Sequence, residues 1–149
     1  MAKLFQVSET KHNGVSATQT ILLNAKKVIG CTETDTNACT ITYKRFGNEK
    51  PDVDDLAISQ ATLKTRVNAV ANTNTDGSVI NVTAVDKVTG ATSTESLNVA
   101  DIHRVVPYTP ADFETVLNLV SVENATQTGF DWYMVEETQA AMLAAANGS

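Results

Sequence analysis

Apolar and polar residues alternate with a period of two along most of the chain, which predicts half-buried strands. Residues 3–9 set Leu4, Gln6 and Ser8 against Phe5, Val7 and Glu9, a short first strand. Asn13-Gly14 is a strong turn signal. Residues 19–31, through Ile21-Leu22-Leu23 to Ile29, predict a longer strand, with Lys26-Lys27 marking a bend or an edge. Residues 39–46 predict a strand with Cys39, Ile41 and Tyr43 on one face, and Gly47 to Pro51 breaks it. Val53 to Ile58 reads as a strand or an extended lead-in.

The period changes at Ser59, a good N-cap. Leu63, Val67, Val70 and Ala71 then share one helical face, predicting a helix over 60–72. Residues 78–108 alternate most regularly, turning at Thr89-Gly90 and closing at Pro107 and Pro110. Phe113, Leu117 and Val120 follow helical spacing and predict a helix over 112–122. Gly129 to Met134 gathers aromatics, and the Ala-rich stretch from Glu136 to Ala146 has high helix propensity.

These elements predict an α+β, mainly β protein. The expected architecture is a small antiparallel β-barrel or sandwich with one inserted helix and C-terminal helices. Residues 1–108 would form the β-rich core domain, and 109–149 a helical extension on that core or on a neighbouring subunit. A faint internal echo links Leu23-Asn24-Ala25 through Val28 with Leu97-Asn98-Val99-Ala100 through Ile102. Two β units of similar design are compatible with such a core.

Composition sharpens the picture. The 149 residues include twenty-one threonines against eleven lysines and arginines, and the formal charge is −6. Threonine in alternation with Val and Ile suits pleated sheets. Lys and Arg are dispersed, which counts against nucleic acid as the main ligand, because phosphate contacts need a basic face. No stretch is apolar for long enough to span a bilayer as a helix, and the start lacks the continuous apolar core of a leader, so synthesis in the cytoplasm is expected. Cys31 and Cys39 flank a short loop and would face each other for a bridge if it is a hairpin; two reduced thiols in strand positions is the plainer reading. With His12 and His103 far apart in sequence, neither a metal nor another cofactor is expected.

Candidate chemistry is sparse. Asp101 and His103 would share a strand face, so the carboxylate could orient the imidazole; a solvated strand face is the plainer reading. Asp52, Asp54 and Asp55, with Glu49 nearby, lack the glycine and terminal glutamate of a calcium loop and read as a solvated acidic loop. No catalytic set or small-molecule substrate is therefore expected. Phe130, Trp132, Tyr133, Met134, Met142 and Leu143 form the candidate interface, as core plug or partner anchor. The polar end Asn147-Gly148-Ser149 has little of its own to bury and suggests packing against a neighbour.

The opening Met1-Ala2-Lys3-Leu4-Phe5, the strand Ile21 to Val28, the strand Thr40-Ile41-Thr42-Tyr43 and the Leu97 to Ile102 turn resemble those of small virion structural proteins of tailed bacteriophages. That resemblance implies a head decoration, cement or connector role, assembled in many copies with itself and other virion proteins. The Leu23-Asn24-Ala25-Lys26-Lys27-Val28-Ile29 strand is also similar to the opening strand of LytTR-type regulator domains, which implies a β-rich DNA-binding module as the alternative.

Overall fold

The computed structural model of the chain describes residues 3–44, 50–70 and 77–148. Ten strands run in chain order: β1 (Leu4–His12), β2 (Val15–Asn24), β3 (Val28–Asp35), β4 (Ala38–Tyr43), β5 (Asp52–Leu56), β6 (Val79–Val85), β7 (Thr92–Asn98), β8 (Ile102–Tyr108), β9 (Leu117–Glu123) and β10 (Phe130–Val135). Helix α1 (Gln60–Ala69) follows β5, and α2 (Gln139–Asn147) follows β10. All ten strands lie in one open antiparallel sheet, ordered β3-β4-β5-β1-β2-β8-β9-β10-β6-β7. The mainly β class is as expected, but the sheet does not close into a barrel.

That order contains the same unit twice. The first half reads β3-β4-β5-β1-β2 and the second β8-β9-β10-β6-β7, each unit ending in a helix. Each opens with a hairpin, the first through Asn13 and Gly14, both at positive φ, as a tight two-residue turn requires. The hairpin leads into a single 3-10 turn, Ala25–Lys27 or Val99–Asp101.

The echo noticed in the sequence is this turn. Asn24 caps the first by accepting the Lys26 N–H, and Asn98 caps the second by accepting the Ala100 N–H. Ala25 donates its N–H to Lys3 O at 2.9 Å, and Val99 to Ser78 O at 3.0 Å. A register shift follows Val28 in the β3–β4 pair and Ile102 in the β8–β9 pair. Ser59 and Thr138 cap their helices alike, accepting the N–H of Thr62 and Ala141. These anchors make Leu4 the counterpart of Val79, Leu22 of Ser96, Cys31 of Val105 and Asn68 of Asn147.

Each unit has its own core. Phe5, Val7, Ile21, Leu23, Ile41, Tyr43, Leu56 and Leu63 fill the first. Ile80, Val82, Leu97, Ile102, Val105, Val120, Val135 and Met142 fill the second, with Leu4 and Leu22 reaching in from the first unit. Burying one such side chain contributes about 1.5–3 kcal/mol.

Several expectations need correction. The helix expected over 112–122 is a loop leading into β9, and the aromatic stretch is β10, so the helical extension expected over 109–149 reduces to α2. Leu117 and Val120 fit a helical period, but Val120 and Val122 also fit a strand. Hydrogen-bonding partners on both sides, β8 and β10, decide for the strand. The strand expected over 19–31 is broken by the Asn24 turn. Helix α1 stops at Ala69; the 71–72 end of its expected range, and most of the Gly47–Pro51 break, lie outside the described residues. The polar C-terminal end packs on its own chain: Asn147 is buried and brackets Leu4, accepting its N–H at 3.0 Å and donating to its carbonyl at 2.9 Å.

Candidate functional site

The densest chemistry in the molecule sits at the joint between the two units. There β2 pairs with β8 over a short register, Leu22 opposite Val105 and Leu23 opposite Arg104. Arg104 projects into the first unit. It donates to Glu9 Oε2 at 2.7 Å, to Asp54 Oδ2 at 2.8 Å and to Tyr43 Oη at 3.0 Å, with a further bond to Glu9 Oε1. Tyr43 donates its hydroxyl to Asp54 Oδ2 at 2.9 Å, and His12 Nδ1 lies 2.6 Å from Asp54 Oδ1. Glu9, Asp54 and Arg104 are all buried.

Strand alternation puts them there. Phe5, Val7 and Glu9 point to one face of β1, so the polar residue that ends this apolar run stays inside and needs a cation. Burial works against the Glu9 charge, but hydrogen bonds from Arg104 and Gln19 hold its carboxyl below the ordinary range. Burial raises the Asp54 pKa, and His12 and Arg104 offset only part of that rise. Burial opposes the Arg104 charge too, yet Glu9 and Asp54 outweigh it and keep the guanidinium protonated. The Tyr43 hydroxyl, pushed up by burial, stays neutral.

A second pair flanks the first. His103 Nε2 lies 2.6 Å from Asp52 Oδ2, and the imidazole stacks on Phe130 with centroids 4.0 Å apart. Burial lowers the His103 pKa against the pull of Asp52, and Nδ1 is enclosed without a partner. Protonating it would bury an unsatisfied N–H, so the neutral Nε2–H tautomer, donating to Asp52, fits the site. The Asp52 carboxyl falls to about 2: burial opposes this, and the hydrogen bonds from His103 and Asn13 outweigh it.

These contacts revise the readings of the acids and the histidine. The partner of His103 is Asp52, not Asp101, because Asp101 belongs to a 3-10 turn rather than a strand. The acidic stretch is strand β5 with Asp54 wholly buried, not a solvated loop. Glu9, His12 and Asp54 offer donor atoms within 4.8 Å of one another, enough in number to hold a cation. The Arg104 guanidinium already bridges both carboxylates, so a metal ion fits poorly. The buried acids and arginine act as a clamp that fixes the two units together.

Asn24 adds to the joint, donating to Val99 O at 2.8 Å and Ile102 O at 3.0 Å in the second unit. Lys27 pairs with Glu123 across it at 2.9 Å. Helix α2 completes it by lying over β1 and β2 of the first unit as well as its own β6.

The six residues singled out as a candidate interface divide. Met142 is buried in the second core, Tyr133 and Leu143 pack on its margin, and Met134 is buried outside it. Phe130 lies against His103, whereas Trp132 is 53% exposed. Cys31 and Cys39 are free thiols on β3 and β4, offset by two residue pairs in register, and burial first, then Cys31, pushes the Cys39 thiol up to about 12. Sequence reasoning missed the clamp because Glu9, Asp54 and Arg104 lie far apart in the chain. The signal that marks the joint is the repeated Leu-Asn before each 3-10 turn. Among the described residues no helix is long and apolar enough to cross a membrane. The chain matches no family model, no curated protein and no solved structure.

Proposed function

We propose that the chain is a structural assembly protein, a component of a bacteriophage virion in a decoration, cement or connector role, acting through contacts with other protein chains. One observation carries the reading. The acids and the arginine best suited to chemistry are closed into the joint between the two units and matched to one another, while strand edges and exposed Val79, Ile29 and Trp132 face outward. A buried, saturated ionic cluster holds a fold together; unpaired edges and isolated apolar side chains are what a neighbouring chain can use. The resemblance to small virion proteins supplies the bacteriophage part of the reading.

Sedimentation of the purified protein, alone and with capsid shells lacking it, tests the proposal. Co-sedimentation with shells at a fixed copy number is the expected result. A protein that binds no shell, yet retards DNA in a gel with an affinity that falls steeply as salt rises, would favour the DNA-binding alternative instead.

A further inference from the structure

Internal duplication makes the two free edges of the sheet informative. Inside the chain, β2 of the first unit pairs with β8 of the second. Among the described residues the edges left open are β3 and β7, the counterparts of β8 and β2. The molecule therefore carries one joint already made and, at its two ends, the two halves of the same joint unmade. We infer that a second copy of this chain docks head to tail, its β3 edge and helix α1 closing over β7 and β6 as β8 and α2 close over β2 and β1. The inference deepens the assembly reading and rests on it.

Four features beyond the edges support it. In the second unit, Ile80, Ile102, Val105, Val120, Met142 and Ala146 form a closed core because Leu4 and Leu22 enter from the first unit. Their counterparts in the first unit are Phe5, Val28, Cys31, Ile41, Leu63 and Val67, and these line a cavity of about 620 Å³. What is missing from the cavity is the pair that would take the places of Leu4 and Leu22. Those counterparts are Val79 and Ser96. Leu4 is 0% exposed and Val79 58% exposed. An outward-facing valine and an unfilled apolar cavity are thus two sides of one contact.

The helices repeat the pattern. Asn147 of α2 brackets the Leu4 backbone with two hydrogen bonds. Its counterpart on α1 is Asn68, which is exposed and whose side chain has no hydrogen-bond partner among the described residues. Docked in the same way, Asn68 reaches the N–H and carbonyl of the neighbour's Val79. Gln139, which bonds Gln6 and the Thr20 carbonyl, has Gln60 at the same place in α1, where its amide donates to Cys31 O of β3 at 2.8 Å within the chain.

The capping asparagines agree. Asn24 uses Oδ1 for its own turn and Nδ2 for the facing unit. Asn98 uses Oδ1 alike, and among the described residues its Nδ2 has no partner. In the assembly it meets the Ala25 carbonyl of the next copy.

Charge is compatible as well. In place of the clamp residues Glu9, Asp54, Tyr43 and Arg104, the second joint has Ala84, Tyr133, Val122 and, on the incoming copy, Gly30. The arginine and both carboxylates are absent together, so docking buries no unmatched charge there.

The in-chain register fixes the test. Leu22 stands opposite Val105, so Ser96 must stand opposite Cys31 of the next copy. Facing residues in an antiparallel pair have Cα atoms about 4.5–5.5 Å apart, within disulfide range. A chain carrying both Ser96→Cys and Cys31→Ser is mixed with the natural chain and mildly oxidised, and dimer is read on a non-reducing gel. Covalent dimer in the mixture, and none from the double variant alone, is the expected result. Dimer from the double variant alone means β7 edges pairing with each other, which overturns the inference. So does a mixture that forms no dimer.

Val79→Asp provides a second reading by sedimentation. Val79 is exposed, so the variant should fold and melt as the natural chain does, while self-association weakens roughly tenfold or more, since docking would bury an unpaired carboxylate. Unchanged self-association overturns the inference. A natural chain that stays monomeric at every concentration, yet sediments with shells, overturns head-to-tail pairing and leaves the assembly reading standing. Cross-linked oligomers that bind no shell do the reverse.

Discussion

Replacing Arg104 with methionine removes the guanidinium from the centre of the clamp and leaves Glu9 and Asp54 facing each other in a buried space. Four hydrogen bonds from the guanidinium disappear, three of them at 2.7–3.0 Å. Methionine fills much of the same volume, so the loss is electrostatic rather than a cavity. Breaking a buried ion pair by removing one partner costs about 3–5 kcal/mol. A domain of this size has about 5–15 kcal/mol in total. With a urea slope of about 2 kcal/mol per molar, the unfolding midpoint should fall by about 1.5–2.5 M at pH 7. Urea titration followed by Trp132 fluorescence and far-ultraviolet circular dichroism measures it. The triple variant Glu9→Gln, Asp54→Asn, Arg104→Met should recover most of the loss, because it leaves no unpaired charge. A fall of less than about 0.3 M in the single variant, or a triple variant no better than the single, would refute the view that Arg104 works by neutralising two buried acids.

Other expectations are checked by similar means. Asn147→Ala strands the buried N–H and carbonyl of Leu4 and should cost about 2–4 kcal/mol in urea unfolding, whereas Asn68→Ala should leave the monomer within about 0.5 kcal/mol of the natural chain. His103 has a folded pKa below its unfolded value near 6.5, so the unfolded state binds the extra proton. The contribution of His103 is complete above about pH 6.5 and is lost as pH falls from there toward the folded value. Asp52, held at about 2 in the fold, contributes above its ordinary value near 3.8 and loses that contribution as pH falls toward 2. Urea midpoints recorded from pH 8 to pH 4 should therefore decline from about 6.5, and His103→Gln should flatten the first part of that decline. Thr138→Ala removes the cap of α2 and should cost about 1 kcal/mol, read as a lower melting temperature.

Most strands were legible because one face of each is buried and the period-two pattern follows. Phe5, Val7 and Glu9, or Ile80 and Val82, declare their face without help from the rest of the chain. Helix α1 was legible from Ser59 and the spacing of Leu63 and Val67. Residues 117–123 were not, since Leu117, Val120 and Val122 satisfy two periods and the flanking strands make the choice. The clamp was hidden for a different reason: Glu9, Asp54 and Arg104 gain meaning only when β1, β5 and β8 are brought together. Duplication left few identities to find. Leu-Asn before each 3-10 turn is one, and Gln-Ala after the caps Ser59 and Thr138 is another. Their agreement becomes decisive only beside the repeated sheet order, because hydrogen-bond register is retained where side chains have changed.

A duplicated unit with a head-to-tail joint has a further consequence. Such a joint is heterologous, so it ends only by closing into a ring, and otherwise it extends into a filament. Successive joints alternate in kind. The in-chain joint carries the buried Arg104 clamp and a covalent connection, which together keep the two units associated at any dilution. The proposed joint between chains would lack the clamp and depend on β7–β3 pairing, Val79 in the α1 cavity and Asn68. It would be the weaker of the two, and dissociation should pass between chains and leave each pair of units whole. A closed ring would hold two units per chain and approximate twice the rotational symmetry that its chain count implies. Its surface would repeat at every unit in backbone and at every second unit in charge. A partner that reads backbone shape could engage every unit, whereas one that reads side chains, exposed Trp132 in one unit against half-buried Val53 at the same place in the other, would engage one site per chain.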